Sequence, residues 1–119
     1  MTIRRIVTDI ATTEVKELAA FYVALFDLDV VMDQEWIITL STGQEGPVQL
    51  SIASEGGGGA PVPDMSIEVD NVDAVHAKAK ELGAQVTYAL RDEPWGVRRF
   101  FVKDPAGKVL NVLSHLTVP

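Results

Sequence analysis

The sequence predicts an α+β fold made of two βαβββ modules, and three observations predict it. The order strand, helix, strand, strand, strand can be read twice along the chain, at a repeat of roughly 55 residues. Between the two copies lies Glu55-Gly56-Gly57-Gly58-Gly59-Ala60-Pro61-Val62-Pro63, whose glycines and prolines disfavour both a helix and a central strand. Further along, apolar and β-branched runs flank Asp104-Pro105-Ala106-Gly107. Proline at the second position and glycine at the fourth suit a type I turn, so this stretch reads as a hairpin.

In the first module, residues 3–11 form a strand, and Thr12 or Thr13 caps a helix over residues 14–26. Val15, Leu18, Tyr22 and Leu25 recur at helical spacing and give that helix its apolar stripe. Strands follow at residues 29–32, 36–40 and 48–53. In the second module a strand at residues 65–69 leads to Asp70 or Asn71 as the cap of a helix ending near Leu82. Val72, Val75, Ala79 and Leu82 form its stripe, and Gly83 stands where a left-handed cap is wanted. Strands at 85–89, 97–103 and 109–114 complete the pattern. The chain reads as a single domain over 1–119, with module 1 at 3–54, a linker at 55–63 and module 2 at 64–116.

A chain of 119 residues with 47% hydrophobic and 23% charged side chains can bury one core beneath an ordinary soluble surface. No apolar run approaches the ~20 residues of a membrane span, and the start has no signal-peptide character. Cysteine is absent, which excludes disulfides, thiol catalysis and thiolate metal sites. A cytoplasmic protein is expected. The net charge of −7 argues against nucleic acid as a partner, because such binding neutralises phosphates with lysine and arginine. Nothing basic and amphipathic suggests a membrane surface.

Three local signals follow one another: Phe21-Tyr22 with Leu25-Phe26-Asp27-Leu28-Asp29-Val30, then Ile67-Glu68-Val69-Asp70-Asn71-Val72-Asp73, then the hairpin from Pro94 to Val112. In this order they resemble the vicinal oxygen chelate superfamily, which includes glyoxalases, bleomycin-resistance proteins and extradiol dioxygenases. Family members often have glycine where Asp27 stands. The resemblance spans residues 4–115 and implies a curved mixed sheet around a cleft, glyoxalase-like, in a homodimer. It also implies where the metal ligands of the family's enzymes would fall: Val7, Gln49, Asp64 and Asn111. A valine donates nothing, two of the others are neutral amides, and one carboxylate does not hold a transition metal. No metal and no other cofactor is therefore expected.

Two histidines occur. His76 falls off the stripe of the second helix and reads as a surface residue. His115 shares a strand face with Asn111 and Leu113, and the resemblance makes that the cleft face. There it would serve as a base, with Glu68 as a second acid–base candidate; an ordinary strand-end histidine is the plainer account. Alternation places Arg99, Phe101 and Lys103 on one face, with Phe100 and Val102 on the other, under a helix. Trp95, in a loop bordered by Asp92 and Glu93, would cover a planar or cationic ligand or plug the loop from beneath. Arg98 and Arg99 would grip an anion or stand as an exposed pair. The expected ligand-binding set is Gln49, Asp64, Trp95, Arg99, Phe101 and Asn111. The leading expectation is a metal-independent protein that sequesters a small organic molecule, as bleomycin-resistance proteins do. The alternatives are a glyoxalase-like lyase or isomerase and a dimeric module with a vestigial cleft.

Overall fold

The structure is a computed structural model, and it describes residues 1–42 and 49–116. Its elements are β1 (Ile3–Ala11), α1 (Val15–Phe26), β2 (Asp29–Asp33), β3 (Ile37–Ser41), β4 (Gln49–Ala53), β5 (Met65–Val69), α2 (Val72–Glu81), β6 (Gln85–Asp92), β7 (Val97–Lys103) and β8 (Val109–His115). The α+β class and the doubled βαβββ order are as the sequence predicts. Val48, expected to open a strand, lies outside the described residues.

Two compact units emerge: residues 7–62, and residues 63–119 together with 1–6. Strand β1 therefore serves both, its first residues in one unit and its last in the other. In each unit the module's first and last strands pair in parallel, β1 with β4 and β5 with β8, and the remaining pairs are antiparallel.

In residues 7–62 the strand order is β2-β3-β4-β1. Helix α1 packs Val15 and Ala19 on Ile38, Leu40 and Ile52, with Leu18, Tyr22 and Val23 alongside. Leu25, expected in the stripe, is instead exposed, and Val23 packs in its place. The helix begins one residue later than expected. Thr12 Oγ1 accepts the Glu14 N–H at 3.0 Å, a local turn that leaves Glu14 at the N-cap without a side-chain cap. On the strand face away from the helix, Thr39 and Ser51 share a 2.8 Å hydrogen bond. The glycine run is an ordered turn. Gly56 N–H donates to Ala60 O at 2.6 Å and Gly59 N–H to the Glu55 carboxylate at 2.9 Å. Gly57, Gly58 and Gly59 all take positive φ, which only glycine adopts without strain.

In the other unit the order runs from the start of β1 through β5-β8-β7-β6. Phe100, Val102, Val112 and Val69 form a core beneath Val72, Val75 and Ala79 of α2. Asn71 caps this helix by accepting the Ala74 N–H at 3.1 Å. Asp70, the other candidate, faces the chain start, where its carboxylate accepts the Thr2 N–H at 2.8 Å. Leu82 stands at the C-cap and is exposed, so it drops out of the expected stripe. His76 is half-buried with its ring edge-on to Phe100 at 4.9 Å, not the surface residue expected. It follows Val72 by four and precedes Ala79 by three, which places it on the packed face.

Candidate functional site

The site-bearing surface is the face of the β5-β8-β7-β6 sheet opposite α2. Alternation in β7 sends Phe100 and Val102 to the helix and Arg99 and Phe101 to this other face. Two register shifts in β6 bring Tyr88 opposite Phe101 and Arg91 opposite Arg99. The hairpin between β6 and β7 closes at Glu93 and Val97 around Pro94-Trp95-Gly96, with Gly96 at φ 90°. The hairpin between β7 and β8 closes at Asp104 and Lys108 around Pro105-Ala106-Gly107, with Gly107 at φ 84°. One three-residue loop design thus occurs twice, a turn followed by a left-handed glycine.

These elements converge on a buried ion pair. Glu93 Oε2 accepts from Arg99 Nε at 2.8 Å, Arg99 NH2 at 2.7 Å and the Tyr88 hydroxyl at 2.7 Å. Its other oxygen lies 2.8 Å from Arg91 Nε. The Arg99 and Glu93 side chains are only 3% and 2% exposed. The Arg99 guanidinium carbon sits 4.7, 4.8 and 4.9 Å from the ring centres of Tyr88, Trp95 and Phe101. Three aromatic rings therefore enclose a cation supplied by the chain itself. Trp95 covers Arg99, and Arg99 points to Glu93 rather than outward. Arg98, its neighbour, lies on the other side, paired with Asp73 and Asp92 at 3.1 and 3.0 Å. Those hydrogen bonds, Asp92 first, raise its pKa above the usual arginine value.

Beside the cage, Asn111 is in register with Phe101 on one side and Ser66 on the other. Its Nδ2 donates to Ser66 Oγ at 3.1 Å, and its Oδ1 is buried with no hydrogen-bond partner among the described residues. Further along β5 and β8, Glu68 Oε1 lies 2.6 Å from Arg5 NH2 and Glu68 Oε2 lies 3.1 Å from His115 Nδ1. Glu68 is 15% exposed and His115 55%. The two acid–base candidates therefore meet, together with an arginine from the start of β1.

Asp64 makes its contacts to the backbone, and Gln49 belongs to the other unit. The Asp64 carboxylate accepts the Val109 N–H at 2.7 Å and its backbone N–H donates to Val109 O, so it anchors the start of β5 to β8. Gln49 opens β4 in the other unit, opposite Ser41. The metal positions that the resemblance implies do not fit a metal. Val7 is a buried aliphatic residue, the register sets Ser66 rather than Asp64 beside Asn111, and Gln49 and Asn111 are neutral amides. No cluster of three or more His, Asp or Glu that would hold a metal ion occurs among the described residues.

Tyr88 and Arg91 are absent from the sequence reading, which takes Glu93 only as a border of the Trp95 loop and Arg5 only as an alternative position on the first strand. The signal for Glu93 was present: Glu93-Pro94-Trp95-Gly96 repeats the acid-Pro-x-Gly pattern of Asp104-Pro105-Ala106-Gly107, so a hairpin loop was legible there too. Tyr88 and Arg91 carried no such signal, because two bulges in β6 break the alternation that would have placed them.

Paired βαβββ modules, each closing on a parallel pair of first and last strands, define the class of protein. The chain belongs to the Glyoxalase/Bleomycin resistance protein/Dioxygenase superfamily, whose family model matches residues 3–112. No curated protein gives a significant sequence match. Solved structures share the fold at low identity. A Legionella pneumophila protein described as an NAD-dependent benzaldehyde dehydrogenase is 14% identical, with a TM-score of 0.76, covering 92% of this chain and 98% of its own. A superfamily member from Vibrio splendidus 12B01 is 15% identical at a TM-score of 0.69, covering 97% and 100%. Methylmalonyl-CoA epimerase from Mycobacterium tuberculosis is 14% identical at 0.62, covering 97% and 88%. No helix among the described residues is long and apolar enough to cross a membrane.

Proposed function

We propose that this protein binds a small organic molecule without a metal ion, in the manner of a sequestering protein. The observation that carries this reading is Asn111. It occupies the position where the family's metalloenzymes commonly have a carboxylate. Its buried Oδ1 has no hydrogen-bond partner among the described residues, and such an acceptor costs about 1–3 kcal/mol if nothing donates to it. A neutral amide oxygen of this kind calls for an N–H or O–H donor, which organic ligands carry. Trp95, half-buried, supplies aromatic surface on the same unit, whereas Phe101 is 2% exposed and backs the cage from within, not as the ligand contact expected of it. Arg99 holds the rings in place through Glu93 rather than touching ligand itself.

The test is a thermal-shift screen of small aromatic and cationic compounds, followed by calorimetry on any that stabilise the protein. Stoichiometric binding that persists in EDTA, produces no turnover and weakens at least tenfold in Asn111→Leu is the expected result. Binding that requires an added divalent metal would overturn the proposal. The reading includes a homodimer, supported by the exposed Phe21, Leu25 and Phe26 on α1. Sedimentation equilibrium at the mass of a single chain would remove that part of it.

A further inference from the structure

Arg5, Glu68 and His115 form a constellation that ligand sequestration leaves unused. Each belongs to a different strand, and Glu68 and His115 are offset along theirs from the row that holds Asn111 and Ser66. Glu68 is two residues beyond Ser66, and His115 four beyond Asn111. Strand geometry fixes His115 at the backbone. It pairs with Val97 across β7, and the following Leu116 N–H donates to Gly96 O at 2.9 Å. Glu68, largely buried, presents one oxygen to Arg5 at 2.6 Å and the other to His115 Nδ1 at 3.1 Å. A carboxylate held by a guanidinium on one side has its orientation set on the other. A proton on Nδ1 is favoured there, because it faces the carboxylate, and this leaves Nε2 as the lone-pair nitrogen.

From this geometry we infer a metal-free general-base site in which His115 Nε2 removes a proton from water, with Glu68 and Arg5 as positioning residues. Its substrate class is a small acyl compound, such as an ester, whose carbonyl carbon carries a leaving group. The exposure of His115 decides for water over carbon as the proton source. Carbanion chemistry gains from excluding water, whereas this imidazole is 55% exposed. In the step, the water oxygen bonds to the carbonyl carbon as one O–H bond breaks, its proton passing to Nε2 and the C=O π pair moving onto the carbonyl oxygen. The imidazolium so formed is stabilised by the Glu68 carboxylate. When the C=O bond re-forms from that pair, the bond to the leaving group breaks and the group departs with its electron pair; the proton passes to it or to solvent, and the histidine is neutral again. The inference does not depend on a ligand at Asn111 or Trp95.

The first measurement needs no variant. Two-bond 15N–1H correlation spectra of the full chain at pH 8 report which nitrogen of each histidine carries the proton. His115 is expected as the Nδ1–H tautomer, with His76 resolved as an internal comparison. A His115 that is chiefly Nε2–H overturns the inference. The second is hydrolysis of p-nitrophenyl acetate to acetate and p-nitrophenolate, with EDTA present. His115→Ala is expected to lower the rate at least tenfold. Glu68→Ala is expected to lower it similarly and to shift the tautomer, and Glu68→Asp to restore part of both. His76→Gln is expected to leave the rate unchanged. Equal rates for the unaltered chain and His115→Ala would overturn the assignment, whatever happens to ligand binding elsewhere.

Discussion

Glu93 is the residue on which the buried polar chemistry depends. Four donors from three side chains converge on its two oxygens, and Arg99 is nearly inaccessible to water. Removing one partner of a buried pair strands the other charge, at a cost of about 3–5 kcal/mol. Glu93→Ala is therefore expected to lower the unfolding free energy measured in urea by that margin. The double change Glu93→Leu with Arg99→Met should recover most of the loss, because it leaves no buried charge unpaired: Arg91 is 60% exposed and Tyr88 is neutral. Equal losses in the single and double variants would show that the pair is not what holds the cage. Asp70 gives a pH-dependent counterpart. The Thr2 N–H holds its carboxyl below the ordinary aspartate value, helped by the nearby chain start. A depressed folded-state pKa contributes stability above the unfolded value near 3.8, and that contribution is lost as pH falls through the folded value. An NMR titration should place Asp70 below 3.8, and Asp70→Asn should flatten the acid limb of the stability curve between about pH 4 and the folded value. An Asp70 that titrates at or above that value would contradict the contact.

At the level of elements, the end of α1 is locally strained. Asp27 takes φ 56°, ψ 48°, a left-handed conformation in which a Cβ crowds the backbone, and it sets a negative charge at the negative end of the helix. Asp27→Gly removes both penalties and is expected to stabilise the protein by about 1–2 kcal/mol in urea unfolding. A loss of stability would mean that the aspartate makes an interaction outweighing them. The opposite holds at the turn after β4, where a Cβ on Gly56 would run into the Pro61 carbonyl oxygen. Gly56→Ala should cost about 1–3 kcal/mol. These two positions also show what the sequence made legible. Glycine, proline and capping residues act locally, so the module order, the turn at residues 104–107 and the Asn71 cap were readable from the letters alone. Alternation likewise sorted Phe100 and Val102 from Arg99 and Phe101. The cage was legible only in part. Trp95, Arg99 and Phe101 were marked, but their partners depend on bulges in β6 that shift the register without leaving a trace in hydrophobic pattern. Leu25 and Leu82 misled for a related reason: helical periodicity gives a face, whereas the strands beneath decide how far along the helix that face is covered.

Across the whole molecule, the two βαβββ units share a pattern and differ in charge. Residues 7–62 carry nine acidic side chains against the single Lys16, while residues 1–6 and 63–119 carry eight acidic against nine basic. The overall −7 therefore belongs to the first group of residues, and the networks around Glu93, Glu68 and Arg98 belong to the second. Like charges on an exposed surface repel within a Debye length of about 10 Å at 0.1 M salt, whereas a buried pair such as Arg99–Glu93 is screened far less. Salt should therefore relieve the repulsion more than it weakens the attraction. Raising NaCl from 20 mM to 0.5 M is expected to raise the melting temperature by a few degrees, since about 1 kcal/mol corresponds to roughly 4–8 °C in a domain of this size. Sodium sulfate would confound the test, because excluded salts strengthen apolar burial as well. A choline chloride series at matched ionic strength should reproduce the NaCl effect. A melting temperature that falls with salt would place the dominant electrostatic term in the exposed pairs of Arg98 instead of in the acidic excess.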